Sequence, residues 1–366
     1  MFLKVLTYEM WPSGWSRKRL HLPILALSLK LWGELEEAKM TNLTKDSFGR
    51  QIDYLRISVT DRCNFRCVYC MPQEGISLLP QSNILSFEEI TRIARLFLEI
   101  GGQKIKLTGG EPLTQKGIVN LVRMISSLQP IADFGLTTNG FYLKKLAHPL
   151  FEAGLKRVNV SLDSMNAARF TKLTDSSSWN RVWEGINEAL RVGLRLKINV
   201  VAMKGITEKE LFDFGQLVVN YSIDVRFIEF MPLCGTGWHP EWMLPLKTIE
   251  KHFQDNYQLV PLPRGSATAK TYQIEGGLGK IGFIASMTEP FCDRCSRLRL
   301  SADGKLRPCL FSDAETDLKD ALRTGASDEK IKGLIRDAIW RKPKGHEISP
   351  QIESAVGLPR IRSIGG

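Results

Sequence analysis

No G-x-G-x-x-G fingerprint follows the first strand-like segment of this 366-residue chain, which weighs against a Rossmann dinucleotide domain. The apolar run Leu20–Leu29 follows Arg17-Lys18-Arg19, but it is too short to cross a bilayer. It also lies far from the N-terminus and lacks a small-residue cleavage site, so it does not read as a secretory signal. Seven cysteines, an odd number in short spacings, exclude a disulfide framework and point to metal ligation in a reducing compartment, here the cytoplasm. The net charge of +11 calls for an anionic partner. From Lys330 onward the chain carries eight Lys/Arg against three acids, yet no aromatic residues interleave a basic stripe. A phosphorylated small molecule is therefore preferred to a nucleic acid or a membrane.

What is present centres on Cys63-Asn64-Phe65-Arg66-Cys67-Val68-Tyr69-Cys70, three thiols spaced C-x3-C-x2-C after the strand-like Tyr54–Val59. Soft thiolates this dense let one loop wrap a single metal centre. No fourth His or Cys follows nearby, as a closed zinc site would want. Three thiolates on a four-iron cubane leave one iron open to another ligand. A zinc knuckle and three buried free cysteines remain the bland alternatives. The spacing, with Tyr69 before the last Cys, resembles the radical S-adenosylmethionine (SAM) superfamily, in which methionine's amino and carboxylate groups chelate the open iron.

The first forty residues do not match the rest of the chain; Met40 is the expected start, and residues 1–40 are expected to be a dispensable extension. From Ile52, apolar strand-like runs alternate with amphipathic helices. Strands are expected at Ile52–Val59, Lys104–Thr108, a segment ending at Thr137-Thr138-Asn139-Gly140, Arg157–Leu162, Leu194–Ala202 and Asp224–Phe230. Helices are expected from the capping box Ser86-Phe87-Glu88-Glu89, then near Gly117–Leu128, Leu143–Ala153, Asn180–Val192 and Glu208–Asn220. Six strand–helix units argue for a parallel sheet with helices outside. The expected fold is α/β, a partial (βα)6 TIM-like barrel over residues 41–233. A smaller β-rich region over 234–340 comes next, with short strands at Lys270–Ile274 and Ile281–Ile284, then a basic tail over 341–366 ending in Gly365-Gly366.

Polar signatures fall where strands end: Thr108-Gly109-Gly110-Glu111-Pro112, Thr137-Thr138-Asn139, Ser161-Leu162-Asp163 and Glu229-Phe230-Met231. In a barrel of parallel strands those ends line one mouth, where chemistry is found. A second set, Cys292, Cys295 and Cys309, is spaced C-x2-C-x13-C with no neighbouring His, and a zinc ribbon is its competing reading. Arg297 and Arg299 put fixed positive charge beside it. Cys234, single, reads as a small buried residue.

Two three-cysteine sets, six strand–helix units, Arg297-Leu298-Arg299 and a double-glycine end resemble the molybdenum cofactor biosynthesis protein A family, the GTP 3′,8-cyclases, from about Phe48 to Gly366. The resemblance implies that Cys63, Cys67 and Cys70 hold a 4Fe–4S cluster, with Tyr69, Gly110, Ser161 and Met231 around SAM. It implies a second 4Fe–4S cluster on Cys292, Cys295 and Cys309. It implies GTP contacts from Arg56, Thr137, Lys197, Arg297, Leu298 and Arg299. Lys106 stands where the family often has Arg, which keeps the charge but loses the bidentate fork. An external electron donor is implied, as is product hand-off to the next enzyme, cyclic pyranopterin monophosphate synthase. The double glycine would enter the active site, with Arg360 and Arg362 approaching it. Oligomeric state is open, a homodimer included. A peptide-modifying radical SAM enzyme and a non-catalytic zinc or iron–sulfur protein are the rival readings.

Overall fold

The computed structural model describes residues 44–71, 75–128, 130–233 and 239–348. The expected N-terminal extension, Cys234 and the double-glycine end with Arg360 and Arg362 lie outside them.

Six strands follow one another as expected: β1 (Tyr54–Ser58), β2 (Lys104–Thr108), β3 (Asp133–Thr138), β4 (Arg157–Ser161), β5 (Arg195–Ala202) and β6 (Ile223–Glu229). Adjacent members pair in parallel. Helices cross between them: α1 (Phe87–Glu99), α2 (Ile118–Ser126), α3 (Leu143–Glu152), α4 (Ala167–Thr174), α5 (Trp179–Arg191) and α6 (Leu211–Asn220). The capping box forms, Ser86 and Glu89 each bonding the other's backbone, and it turns the apolar stripe Ile90, Ile93, Ala94 and Phe97 onto the sheet.

Beyond β6 come α7 (Leu246–Asn256), β7 (Leu259–Pro261), β8 (Lys270–Ile274), β9 (Lys280–Ile284), β10 (Arg297–Leu300), β11 (Lys305–Arg307), β12 (Thr316–Asp317), α8 (Lys319–Arg323) and α9 (Asp328–Trp340). These strands extend the same open sheet at both edges, in the order β12-β11-β10-β1-β2-β3-β4-β5-β6-β9-β8-β7. β10 lies parallel to β1, and β9 parallel to β6.

Strand alternation sorts the chemistry. On β5, Leu196, Ile198, Val200 and Ala202 are buried under the helices, while Lys197, Asn199 and Val201 take the opposite face. On β1, Leu55 and Ile57 face the helices and Arg56 the other side. Register then sets Arg56 beside Arg299 of β10 and beside Lys106 of β2. Three cations on adjacent strands of one face repel one another, so that face is built for an anion.

Candidate active site

The first cysteine loop leaves the end of β1 and is fixed by backbone bonds and one aromatic anchor. Arg66 and Val68 donate their N–H groups to the carbonyls of Thr174 and Leu173 at the end of α4, each at 3.0 Å. Phe65, buried, packs edge-on against Phe141 and Phe170 at 6.0 and 5.9 Å. The Cys70 and Met71 N–H groups both bond the Cys67 carbonyl, closing a turn around the last two thiols.

Directly upstream, the glycine turn after β2 is zipped to the same loop: Gly110 N–H bonds Thr60 O and Glu111 N–H bonds Arg62 O, each at 2.7 Å. A Cβ on Gly110 would stand 2.2 Å from the Arg62 carbonyl oxygen, so only glycine admits this approach. Glu111, buried, accepts bonds from Leu113 N (2.9 Å), Thr138 Oγ1 (2.7 Å) and Asn139 N (2.6 Å). Burial nonetheless outweighs those bonds and pushes its carboxyl up to about 7. Asp163, after β4, accepts from Tyr69 Oη at 2.6 Å and from Val201 N at 2.8 Å. Burial pushes it to about 6 against the pull of both bonds.

One cavity on the non-helical face of the sheet gathers most of the residues the sequence singled out. Cys63, Cys67, Cys70, Tyr69, Gly110, Ser161 and Met231 line it, together with Arg56, Lys106, Thr137, Arg297 and Arg299. Lys106 is buried; desolvation, then Arg157, Arg56 and Arg226, hold its ammonium well below the usual lysine range. An anion there would reverse that penalty. Thr137 Oγ1, Asn199 Oδ1 and Ser286 Oγ are buried without a hydrogen-bond partner, and all three residues line the cavity. Buried polar atoms of this kind await a polar ligand.

Two expected GTP contacts differ in placement. Lys197 points to the inner side, but its ammonium is paired with Asp224 at 2.7 Å and does not line the cavity. Leu298 alternates to the helix side of β10 and is fully buried there, leaving only its backbone between the two arginines.

The second thiol set lies just behind the cavity wall: Phe291 and Leu310, the immediate neighbours of Cys292 and Cys309, line the cavity. Burial would raise the Cys295 thiol, but Arg297 and Lys342 outweigh it and hold it at about 6. Lys342, itself buried, donates to Arg297 O at 2.9 Å and to Pro308 O, tying the strand after Cys295 to the turn before Cys309. Arg50 donates to Cys292 O and Pro343 O at 2.6 Å each and to Lys344 O at 2.8 Å, while Asp46 holds it from behind. Glu229, at the end of β6 and fully buried, accepts from Met287 N (2.8 Å), Thr288 N (3.0 Å) and the Thr288 hydroxyl. It clamps the segment leading into Cys292.

Sequence reasoning missed Arg226, Asn159, Asn199 and Ser286 in the cavity, and Arg50 and Lys342 around the second set; Glu229 was singled out at a strand end, but not its hold on Met287 and Thr288. Arg226 and Asn199 had a signal, since each is a polar residue alternating with buried apolar ones on an expected strand. Asn159 had the same signal between Val158 and Val160, whereas Arg50 and Lys342 reach their partners only across long stretches of chain.

The donor sets fit the expected cofactors. Each set offers thiols alone, the ligand type iron–sulfur clusters use. Among the described residues no three Cys, His, Asp or Glu side chains converge on one point as they would around a single ion. A cubane instead spreads its thiolates over separate corner irons.

The radical SAM superfamily model matches residues 57–218, and the molybdenum cofactor synthesis C model matches residues 223–348. GTP 3′,8-cyclase of Thermodesulfovibrio yellowstonii is 48% identical over 88% of this chain and 100% of its own length. The chain belongs to the GTP 3′,8-cyclase family.

The GTP 3′,8-cyclase of Pelotomaculum thermopropionicum is 46% identical over 88% of this chain and all of its own. Molybdenum cofactor biosynthesis protein 1 of Homo sapiens is 44% identical over 86% of this chain, which spans 50% of that longer protein. Among solved structures, Streptococcus suis SuiB bound to precursor peptide SuiA shares the fold, with a TM-score of 0.54, 16% identity, and coverage of 97% of this chain and 85% of that one. As a radical SAM member of the GTP 3′,8-cyclase family, the chain uses a 4Fe–4S cluster and SAM. No helix among the described residues is long and apolar enough to cross a membrane.

Proposed function

We propose that this protein converts GTP to (8S)-3′,8-cyclo-7,8-dihydroguanosine 5′-triphosphate, the first step of molybdenum cofactor biosynthesis, in the cytoplasm. The observation that carries the reading is the in-register cation row Arg299–Arg56–Lys106, facing the same cavity as Cys63, Cys67 and Cys70. A peptide substrate would give that row nothing to neutralise.

In this reading Cys63, Cys67 and Cys70 hold the first 4Fe–4S cluster, and Tyr69, Gly110, Ser161 and Met231 surround SAM. Cys292, Cys295 and Cys309 hold a second 4Fe–4S cluster against the guanine. Arg56, Lys106, Arg297 and Arg299, joined by Arg226, grip the triphosphate, and Thr137 offers its unpartnered hydroxyl. Lys197 contributes by exchanging Asp224 for the substrate, and Leu298 through its backbone. When bound, the first cluster and SAM supply one-electron chemistry that removes hydrogen from an unactivated C–H bond, here the ribose C3′.

The chain's own part is positional. Holding the triphosphate at one end and the purine at the other folds the nucleotide so that C3′ and C8 approach within one molecule, which replaces a bimolecular encounter with a prepaid geometry. The buried walls keep water from the carbon radical. The electron comes from an external donor, and the product passes to cyclic pyranopterin monophosphate synthase.

Anaerobic incubation with GTP, SAM and a reductant, followed by mass analysis, should give a cyclised nucleotide together with 5′-deoxyadenosine. Formation of 5′-deoxyadenosine with GTP left unchanged would sink the substrate assignment.

A further inference from the structure

Outside the main cavity, a second and more open depression is lined by Arg62, Asn64, Gln81, Gln115 and Lys116, with Cys63 in its floor. Cys63 is the one described residue that lines both this depression and the inner cavity. Arg62 and Lys116 are exposed, and neither enters an ion pair with a described residue. No acid among the described residues lines the depression. Arg66, also exposed, lies on the same loop, and Leu78, three residues before Gln81, is 49% exposed.

We propose that this depression is the docking site of an acidic one-electron carrier protein, whose electron enters through the Cys63 side of the cluster loop. The inference rests on the reading that Cys63, Cys67 and Cys70 hold the first cluster. The inner cavity cannot serve as the entrance, because SAM and substrate fill it at the moment the electron is needed. Electron transfer falls off exponentially with distance, so the donor must approach a face where a cluster ligand comes to the surface, and Cys63 provides it. Redox encounters use small, wet contacts and rely on complementary charge for their rate. An Arg/Lys rim with no ion pair to a described residue has that character. The step balances simply: the carrier is oxidised by one electron, the cluster is reduced by one, and no proton or atom moves.

The test uses the iron-reconstituted full chain in anaerobic stopped flow, without SAM or GTP, following bleaching of the cluster. Reduced flavodoxin serves as the acidic protein probe, and the methyl viologen radical as a small reductant needing no docking surface. Lys116→Glu should slow reduction by flavodoxin about tenfold at low salt, and Arg62→Glu with Lys116→Glu further still. The wild-type rate should fall steeply with ionic strength, and the double variant's should not. Rates with methyl viologen should stay within about twofold of wild type, since no electrostatic steering of a protein is involved. Lys116→Gln, which removes charge without reversing it, should give an intermediate rate. Variants with full iron content that take electrons from flavodoxin at the wild-type rate would overturn the proposal, as would a wild-type rate indifferent to salt. Failure of the cluster assignment looks different: the wild-type protein would then lack the iron, or methyl viologen would fail to reduce it.

Discussion

One thiol in each set, Cys67 in the first and Cys295 in the second, ionises under an influence opposite to the other's. In the first loop, burial drives the Cys67 thiol well above its usual range, and Cys70 and Asp163 add to the effect. In the second, Arg297 and Lys342 overcome burial and bring Cys295 down to about 6. Cys67 therefore holds its proton before any metal binds and must release it on ligation. Cys295, by contrast, is lowered before any metal binds, its thiolate balanced by Arg297 and Lys342.

The largest effect should come from separating the two sets. Cys67→Ser should reduce SAM cleavage to background while leaving iron at the second set, because a serine alcohol is a poor ligand for a soft iron site. Cys295→Ser should leave SAM cleavage and lose GTP conversion. Iron content and 5′-deoxyadenosine yield measure both, and full GTP conversion by either variant would remove the two-cluster comparison.

Next in size, Arg299→Ala should weaken GTP binding about 10–100-fold, the loss of a hydrogen bond to a charged group. SAM affinity should hold, so titration calorimetry with each ligand tells the two sides of the cavity apart. Equal losses for both ligands would mean that the cation row supports the whole cavity and not the substrate end.

A smaller change is expected from Glu229→Gln. Whichever way the amide turns, its NH2 faces a backbone N–H, of Leu246 on one side or of Met287 and Thr288 on the other. The cost should be about 1–3 kcal/mol in unfolding free energy. Iron should be lost from the second set first, because the clamp fixes the segment entering Cys292; preferential loss from the first set would show that Glu229 acts elsewhere.

The smallest and most discriminating effect is on pH. A thiol whose pKa is raised loses thiolate as pH falls, so iron loading of the first set should drop severalfold from pH 8.5 to pH 7. Loading of the second set should drop less, since Cys295 remains ionised across that window. Reconstituting Cys67→Ser and Cys295→Ser separately reads each set alone, and parallel pH curves would erase the distinction.

Local periodicity made much of this legible. The segments Lys104–Thr108 and Lys270–Ile274 are strands at the residues the sequence indicates, and the capping box at Ser86 opens its helix. The cysteine spacing and the glycine turn pointed to the cavity because both are short-range patterns. What was not legible depends on who sits beside whom. Arg297–Leu300 is only four residues long, and its alternation reads as a charge pair until β10 is seen docked against β1. That docking turns Leu298 toward the helices and both arginines inward. Asp163 was visible as a strand-end polar residue, but its bond to Tyr69 was not. Arg50 reaches Cys292, and Glu229 reaches Thr288, over distances along the chain that no local pattern records.

The pairing of β10 with β1 also bears on how the chain comes to exist. β1 is among the first sheet segments to leave the ribosome, and its partner on one side, Arg297–Leu300, is among the last. Until then β1 presents a bare edge, with its row of unpaired amides open to other nascent chains. Pairing between such distant segments is slow to form. That edge of β1 is thus covered only after β2 to β9 have all been made. Overproduction should expose this edge in proportion to translation rate, and slower synthesis at lower temperature should favour intact protein over aggregates.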